Sequence, residues 1–329
     1  MVYPTPRPRP NLDKITFSRR PPVPKRRPAP PSRKPNGPPR SLTARQMTIC
    51  IVALCEDANC FVTVSDQRVF FDENMPAADG MIRKVTYLSD SWNVMFSGDT
   101  GRATEVIEEA RRRLYPIAGH ITLKAVREAA CGAYHAVRDR HVFNRLVAQH
   151  GFKSLDEFRR DAPQLWGTDL FAKKLAAIEE FDLDLLLIIF GYEELAIDTD
   201  PLFRFRHIFL VQNPGDAESR DMEGFCAIGS GEPAATPSLT TNRIDKANFL
   251  YQTVYLLCEA KFMAEGLPAV GRATHVEVFA PSGKSVKLDD SVIEKVRTIW
   301  AERHSNPVPD DAYWALDKLF NSVDPVSNT

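Results

Sequence analysis

Apolar residues recur along this chain in two rhythms. Residues 48–55, TICIVALC, and 60–66, CFVTVSD, are β-branched runs on either side of EDAN and predict an antiparallel hairpin. MIRKVTYL (81–88) and WNVMFSG (92–98) flank SDS and predict a second one. From Arg102 the rhythm becomes helical, with Ala103, Val106, Ile107, Ala110 and Leu114 on one face. A longer helix follows over 122–150, with Gly151 as its C-cap. Residues 153–181 predict two short helices split by Pro163 and Gly167. Strands are then expected in DLDLLLIIFGYE (182–193), FRHIFLVQN (205–213) and GFCAIGSG (224–231). A third long helix over 245–265 is stopped by Gly266 and Pro268. THVEVFAP (274–281) predicts a last strand, residues 290–304 an amphipathic helix, and a shorter helix is expected beyond it.

Strands come in runs and helices in runs, which fits antiparallel hairpins in an α+β fold rather than a parallel βαβ sheet. The strands are apolar almost throughout, so both of their faces must be covered. The expected architecture is a four-layer αββα sandwich over residues 47–329, with a helical insertion around 152–181 and C-terminal helices within 289–321. No internal repeat is visible.

Charge divides the chain more sharply than its net value of −1 suggests. Residues 1–46 carry +11 and hold 13 of the 25 prolines, leaving −12 on the remainder. The few apolar residues of this Pro/Arg-rich head show no period. Such a segment cannot bury enough surface to offset its ordering entropy, and we expect it to be disordered with polyproline II character. Three uses suit it: an inert leader or propeptide, a misplaced start ahead of Met47, or a basic tail for nucleic acid, anionic membrane or SH3-like grooves. Nucleic acid is expected only through this head. The head has no secretory hydrophobic core, and the longest apolar run, LLLIIFGY from Leu185, is too short to cross a bilayer. The six cysteines form no CxxC pair and no disulfide framework, which predicts free thiols and a cytoplasmic protein. Cys50 and Cys60 are expected in the core.

Several familiar chemistries are not supported. There is no Walker loop and no GxGxxG. GSG at 229–231 could cradle a phosphate at a helix N-terminus, but no lysine follows it. His135, His141 and His150 share one helix at spacings that miss the i,i+4 pair a metal needs, and read as surface residues. What remains is an ordered set: Thr48 opening a strand, Asp66 closing the next, Lys84 opening the second hairpin, Gly98 between a strand and a helix, and Ser230 in AIGSGEPA at a later strand-to-helix junction.

This set resembles the proteasome β-subunit family of N-terminal nucleophile hydrolases, and within it the bacterial ancestral beta-subunit (Anbu) group, which also opens with Met-Thr and has a serine before the aspartate. The likeness covers about residues 47–279. It implies a threonine peptidase acting on peptide or protein substrates within a homo-oligomer, with neither cofactor nor metal. By family pattern Thr48 Oγ attacks a carbonyl. Its own α-amine, with a pKa of about 7.7–8.0, takes the proton. Lys84 would hold that amine neutral, Asp66 would orient Lys84, and Ser230 would support the amine. The Gly98 N–H would stabilise the oxyanion, a role in which one donor is worth roughly 3–4 kcal/mol. The family likeness and the helical stripes around 102–149 suggest helix-mediated packing between subunits.

Three features depart from the pattern. No acid stands between Gly266 and Thr274, where active members often carry one together with a serine. Met47, rather than glycine, precedes Thr48, which argues against self-cleavage and for removal of an initiator methionine. The insertion is longer than in simple members. Cys50 as the nucleophile would require the loss of two more strand residues. The alternative to an enzyme is a catalytically silent scaffold or assembly protein with the same fold.

Overall fold

The computed structural model describes residues 48–55, 59–67, 83–117, 121–193, 205–267 and 270–303. The Pro/Arg-rich head at 1–46 and the short helix expected toward 321 lie outside these residues. The described residues form a mixed α+β structure with two antiparallel five-stranded sheets.

The first sheet contains β1 (Cys50–Cys55), β2 (Cys60–Asp66), β8 (Phe225–Ile228), β9 (Thr274–Phe279) and β10 (Ser285–Lys287), in the order β10-β9-β2-β1-β8. The second contains β3 (Val85–Ser89), β4 (Trp92–Gly98), β5 (Leu185–Glu193), β6 (Phe205–Gln212) and β7 (Asp216–Ser219), in that order. Both expected hairpins are present, with Cys55 opposite Cys60 in one and Val85 opposite Met95 in the other.

Alternation along the central strands explains why β1 and β5 are apolar on both faces. On β1, Cys50, Val52 and Leu54 join a core shared with Val85, Met95, Ile188 and Phe190 of the second sheet. Its other face, Ile51 and Ala53, packs with Val62, Val64 and Val276 against α4 (Glu232–Thr241), α5 (Leu250–Ala264) and α6 (Asp290–Arg303). On β5, Leu185, Leu187 and Ile189 face the other way, toward α1 (Thr100–Leu114) and α2 (Leu123–Val142). Each sheet is thus covered by helices outside and by its neighbour inside. The helical stripe on α1 is buried at all five expected positions, against the chain's own second sheet. Those residues are not available for contact between subunits.

The helix over 122–150 begins as α2, passes through a π turn at Phe143–Val147 and a 3-10 turn at Ala148–His150, and ends on Gly151 with φ of 87°. The insertion forms α3 (Leu155–Glu179), started by the Ser154 side chain accepting from the Glu157 N–H. Its break lies at Gly167 alone, whose φ of 74° and ψ of 163° leave helical space, whereas Pro163 stays within the helix. Three elements were not expected: β7, β10 and a separate α4 ahead of α5, which itself starts at Leu250 rather than Asp245. No described helix is long and apolar enough to cross a membrane.

Candidate functional site

The start of β1 is where the strands of both sheets converge. Cys50 pairs with Ser65 of β2 on one side and with Ile228 of β8 on the other. Two steps back along these registers, Thr48 stands level with Ser230 just beyond β8, and one step back Ile49 stands level with Asp66 at the end of β2. The backbone follows: the Asp66 N–H donates to Ile49 O at 3.1 Å and the Gly231 N–H to Thr48 O at 3.1 Å. Gly229, between them, has φ of 104°, and a Cβ there would lie 2.3 Å from the Thr48 carbonyl oxygen. Only glycine lets this turn close onto Thr48.

Lys84 arrives from the second sheet. It precedes β3, its carbonyl accepts from the Phe96 N–H, and its side chain crosses to the first sheet. There its Nζ donates to Asp66 Oδ1 at 2.6 Å and bonds the Thr48 hydroxyl. The Thr48 Oγ–H donates to the same Asp66 oxygen at 2.6 Å, and the Thr48 N–H donates to Ser230 Oγ at 3.1 Å. Asp66 is fully buried and also accepts from the Ile49 N–H at 3.1 Å and, on Oδ2, from the Gly271 N–H at 3.1 Å. An isolated buried carboxylate costs several kcal/mol; one cation and three further donors offset that here. Thr48, Lys84 and Asp66 are all at most 5% exposed, so their mutual bonds act with little screening by water.

Four of the five expected residues, Thr48, Asp66, Lys84 and Ser230, therefore form one hydrogen-bonded set. The fifth, Gly98, stands apart. It ends β4 with φ of 138°, directly before Asp99, whose carboxylate caps the first turn of α1 by accepting from the Gly101 and Arg102 N–H groups. By strand alternation its N–H points to the same edge of β4 as that of Phe96, toward the side from which Lys84 enters. No hydrogen bond among the described residues joins Gly98 to Thr48.

Cys50 lies behind Thr48 with its Sγ–H donating to Phe96 O at 3.3 Å. Burial pushes its thiol up to about 12, against a weaker downward pull from Lys84. It is packed as a core thiol, and burial holds it in the protonated, unreactive form. All six cysteines are free. The residues the sequence did not single out are Ile49 and Gly271, whose backbone N–H groups hold Asp66. Backbone donors carry no side-chain signature, and only the closed fold reveals them.

A second polar cluster lies along β9. Glu277, 3% exposed, bonds Arg83 at 2.6 Å and His275 at 3.0 Å. Burial alone would raise its carboxyl, but hydrogen bonds from His275, Ser285 and Arg83 bring it down to about 2. Of the three helix histidines, His135 and His150 are exposed and His141 bonds Glu105 at 3.2 Å. Among the described residues no group of three or more His, Cys, Asp or Glu side chains is placed to hold a metal ion. In comparison with known proteins, no protein-family model and no curated protein matches this chain.

Proposed function

We propose that this chain is a proteasome β-subunit-like N-terminal nucleophile hydrolase, a threonine peptidase of the Anbu type in which Thr48 is the nucleophile. One observation carries the reading: Thr48 Oγ, Asp66 and Lys84 bond one another in a buried site while the Thr48 nitrogen rests on Ser230. The two stacked sheets with helices outside each fit the four-layer αββα sandwich of that family. Free thiols fit a reducing, cytoplasmic setting.

The chemistry turns on the Thr48 nitrogen. In the intact chain it is the amide that follows Met47, and an amide lone pair is no base. Freed as an amine it can take the Oγ proton as Oγ attacks a carbonyl carbon. The proton then passes to the leaving amine, the acyl group stays on Oγ as an ester, and water releases it by the reverse path. The positive Lys84 beside the site disfavours protonation of that amine and so keeps it a base. Asp66 fixes Lys84 in place, and Ser230 Oγ, which already accepts from the nitrogen, can accept from the freed amine and leave its lone pair for the Oγ proton. The Gly98 N–H is the oxyanion donor in this reading.

A second reading, the catalytically silent scaffold, is favoured by the state of the intact chain: the Thr48 hydroxyl gives its proton to Asp66 and its nitrogen is acylated. Peptide hydrolysis separates the two. A chain beginning at Thr48 is expected to cut members of a broad peptide library, Thr48→Ser to keep part of that activity and Thr48→Ala to lose it. A folded Thr48-start protein that leaves the library uncut supports the scaffold instead.

A further inference from the structure

Behind Asp66, on the side away from Thr48, lies a buried cluster with two cations. Lys261 on α5 is fully buried and Arg297 on α6 is 7% exposed. A dehydrated ammonium is expensive unless it is paired and its protons are donated. Lys261 meets this with an ion pair to Glu265 one turn on and with hydrogen bonds to the carbonyl oxygens of Gly271 at 2.9 Å and Arg272 at 2.8 Å. Burial still pushes its ammonium down to about 8, against the pull of Glu265.

Arg297 reaches the same place from the next helix. It pairs with Glu265 at 2.5 Å and donates to the Arg272 carbonyl at 2.9 Å and to Thr274 Oγ1 at 3.1 Å. Its guanidinium lies 4.1 Å from the centre of the Phe262 ring. Thr274 Oγ1 itself donates to the Arg272 carbonyl at 3.1 Å. One backbone carbonyl thus accepts from three side chains, and the carbonyl before it from a fourth bond. A stretch of two residues is held far more firmly than chain continuity requires.

What this stretch does is visible on its other side. The Gly271 N–H donates to Asp66 Oδ2, and two residues on the Ala273 carbonyl accepts from the Gln67 N–H at 3.2 Å. Asp66 in turn holds Lys84 and the Thr48 hydroxyl through its other oxygen. We propose that Lys261 and Arg297 are positioning residues for the Thr48 site: bridged by Glu265, they clamp the carbonyls of Gly271 and Arg272 so that the Gly271 N–H fixes the Asp66 carboxylate, and through it Lys84 and Thr48. The inference rests on the reading of Thr48 as nucleophile. It also accounts for the absence of an acid between Gly266 and Thr274, since the support here comes from two helix cations acting on backbone.

The test compares Lys261→Met, which keeps volume and apolar packing, with Lys261→Arg, which keeps donors and charge. Two quantities are read: hydrogen exchange at the Gly271 amide in the full chain, and the rate at which a peptide epoxyketone labels Thr48 in chains beginning there. Lys261→Met is expected to lower Gly271 protection and the labelling rate each by about tenfold, the scale of losing one buried charged donor. Amides within β1 and β2 should be unchanged, and Lys261→Arg should recover part of both losses. Arg297→Lys, which cannot span Glu265, Arg272 and Thr274 together, should show the same pattern more weakly and serves if Lys261→Met does not fold. A wild type that labels, beside a Lys261→Met that labels equally fast or keeps its Gly271 protection, overturns the positioning role alone. A wild type that takes no label overturns the nucleophile and the positioning role together.

Discussion

Replacing Lys261 by methionine should change how stability depends on pH, and the size follows from the site. The lysine ammonium falls from 10.5 to about 8 because folding strips it of water. At 1.36 kcal/mol per unit this amounts to about 3 kcal/mol between the two protonation states. A base whose folded value is depressed binds fewer protons folded than unfolded between those two values, so its contribution to stability rises with pH there. Below pH 8 both states are charged and the full cost is felt; above 10.5 both are neutral and it is gone. Glu265, Arg297 and Asp66 are the charged groups that act on Lys261. The wild-type curve by itself will not show it cleanly. The thiols of Cys50, Cys226 and Cys258, pushed up to about 12 by burial, act in the opposite sense over an overlapping range. The quantity to read is therefore the difference between wild type and Lys261→Met, from urea unfolding by tryptophan fluorescence at fixed protein concentration and at pH 7.5, 9 and 10. Wild type should gain on the variant by about 2 kcal/mol across that range. Parallel curves would refute the claim that folding dehydrates this ammonium.

Other outcomes follow from single residues. Glu277 sits at about 2 rather than 4.5, so the stability it adds is present above 4.5 and is lost as pH falls toward 2; Glu277→Gln should flatten acid unfolding over that interval. Gly229→Ala forces a Cβ to 2.3 Å from the Thr48 carbonyl at φ of 104°, and should cost about 2 kcal/mol or more in urea unfolding as well as any activity. Asp66→Asn should leave part of the peptidase activity of a Thr48-start chain, because the amide still accepts from Ile49, whereas Lys84→Ala should remove nearly all of it. Light scattering on the Thr48-start chain should show an oligomer, and a stable monomer at micromolar concentration would count against the proteasome-like reading.

The elements that could be read from the sequence were those whose side chains repeat. The α1 stripe from Ala103 to Leu114 and the β1–β2 hairpin announce themselves because burial selects apolar residues at a fixed period. β7, with the sequence DAES, and the three-residue β10 are short, largely polar edges of their sheets and leave no such trace. α4 was hidden by Pro233 and Pro237 in ten residues. Within the site, Thr48, Asp66, Lys84 and Ser230 were named through their order, since each alone is a common strand or turn residue. Lys261 was missed for a physical reason: a lysine four residues before a glutamate on a helix is the usual signature of a solvent-facing pair. Here the same pair is buried because α6 and the 270–274 segment close over it, which one-dimensional spacing does not record.

The central claim is that Thr48 is a nucleophile once its nitrogen is free. The most direct measurement treats a chain beginning at Thr48 with a peptide epoxyketone, which reacts with the hydroxyl and α-amine of an N-terminal threonine, and maps the product by peptide mass spectrometry. The account predicts one adduct, on Thr48, absent from Thr48→Ala, strongly reduced in Lys84→Ala, and absent from the 329-residue chain in which the nitrogen is an amide. A folded Thr48-start protein that carries no adduct, or carries it elsewhere, would contradict it.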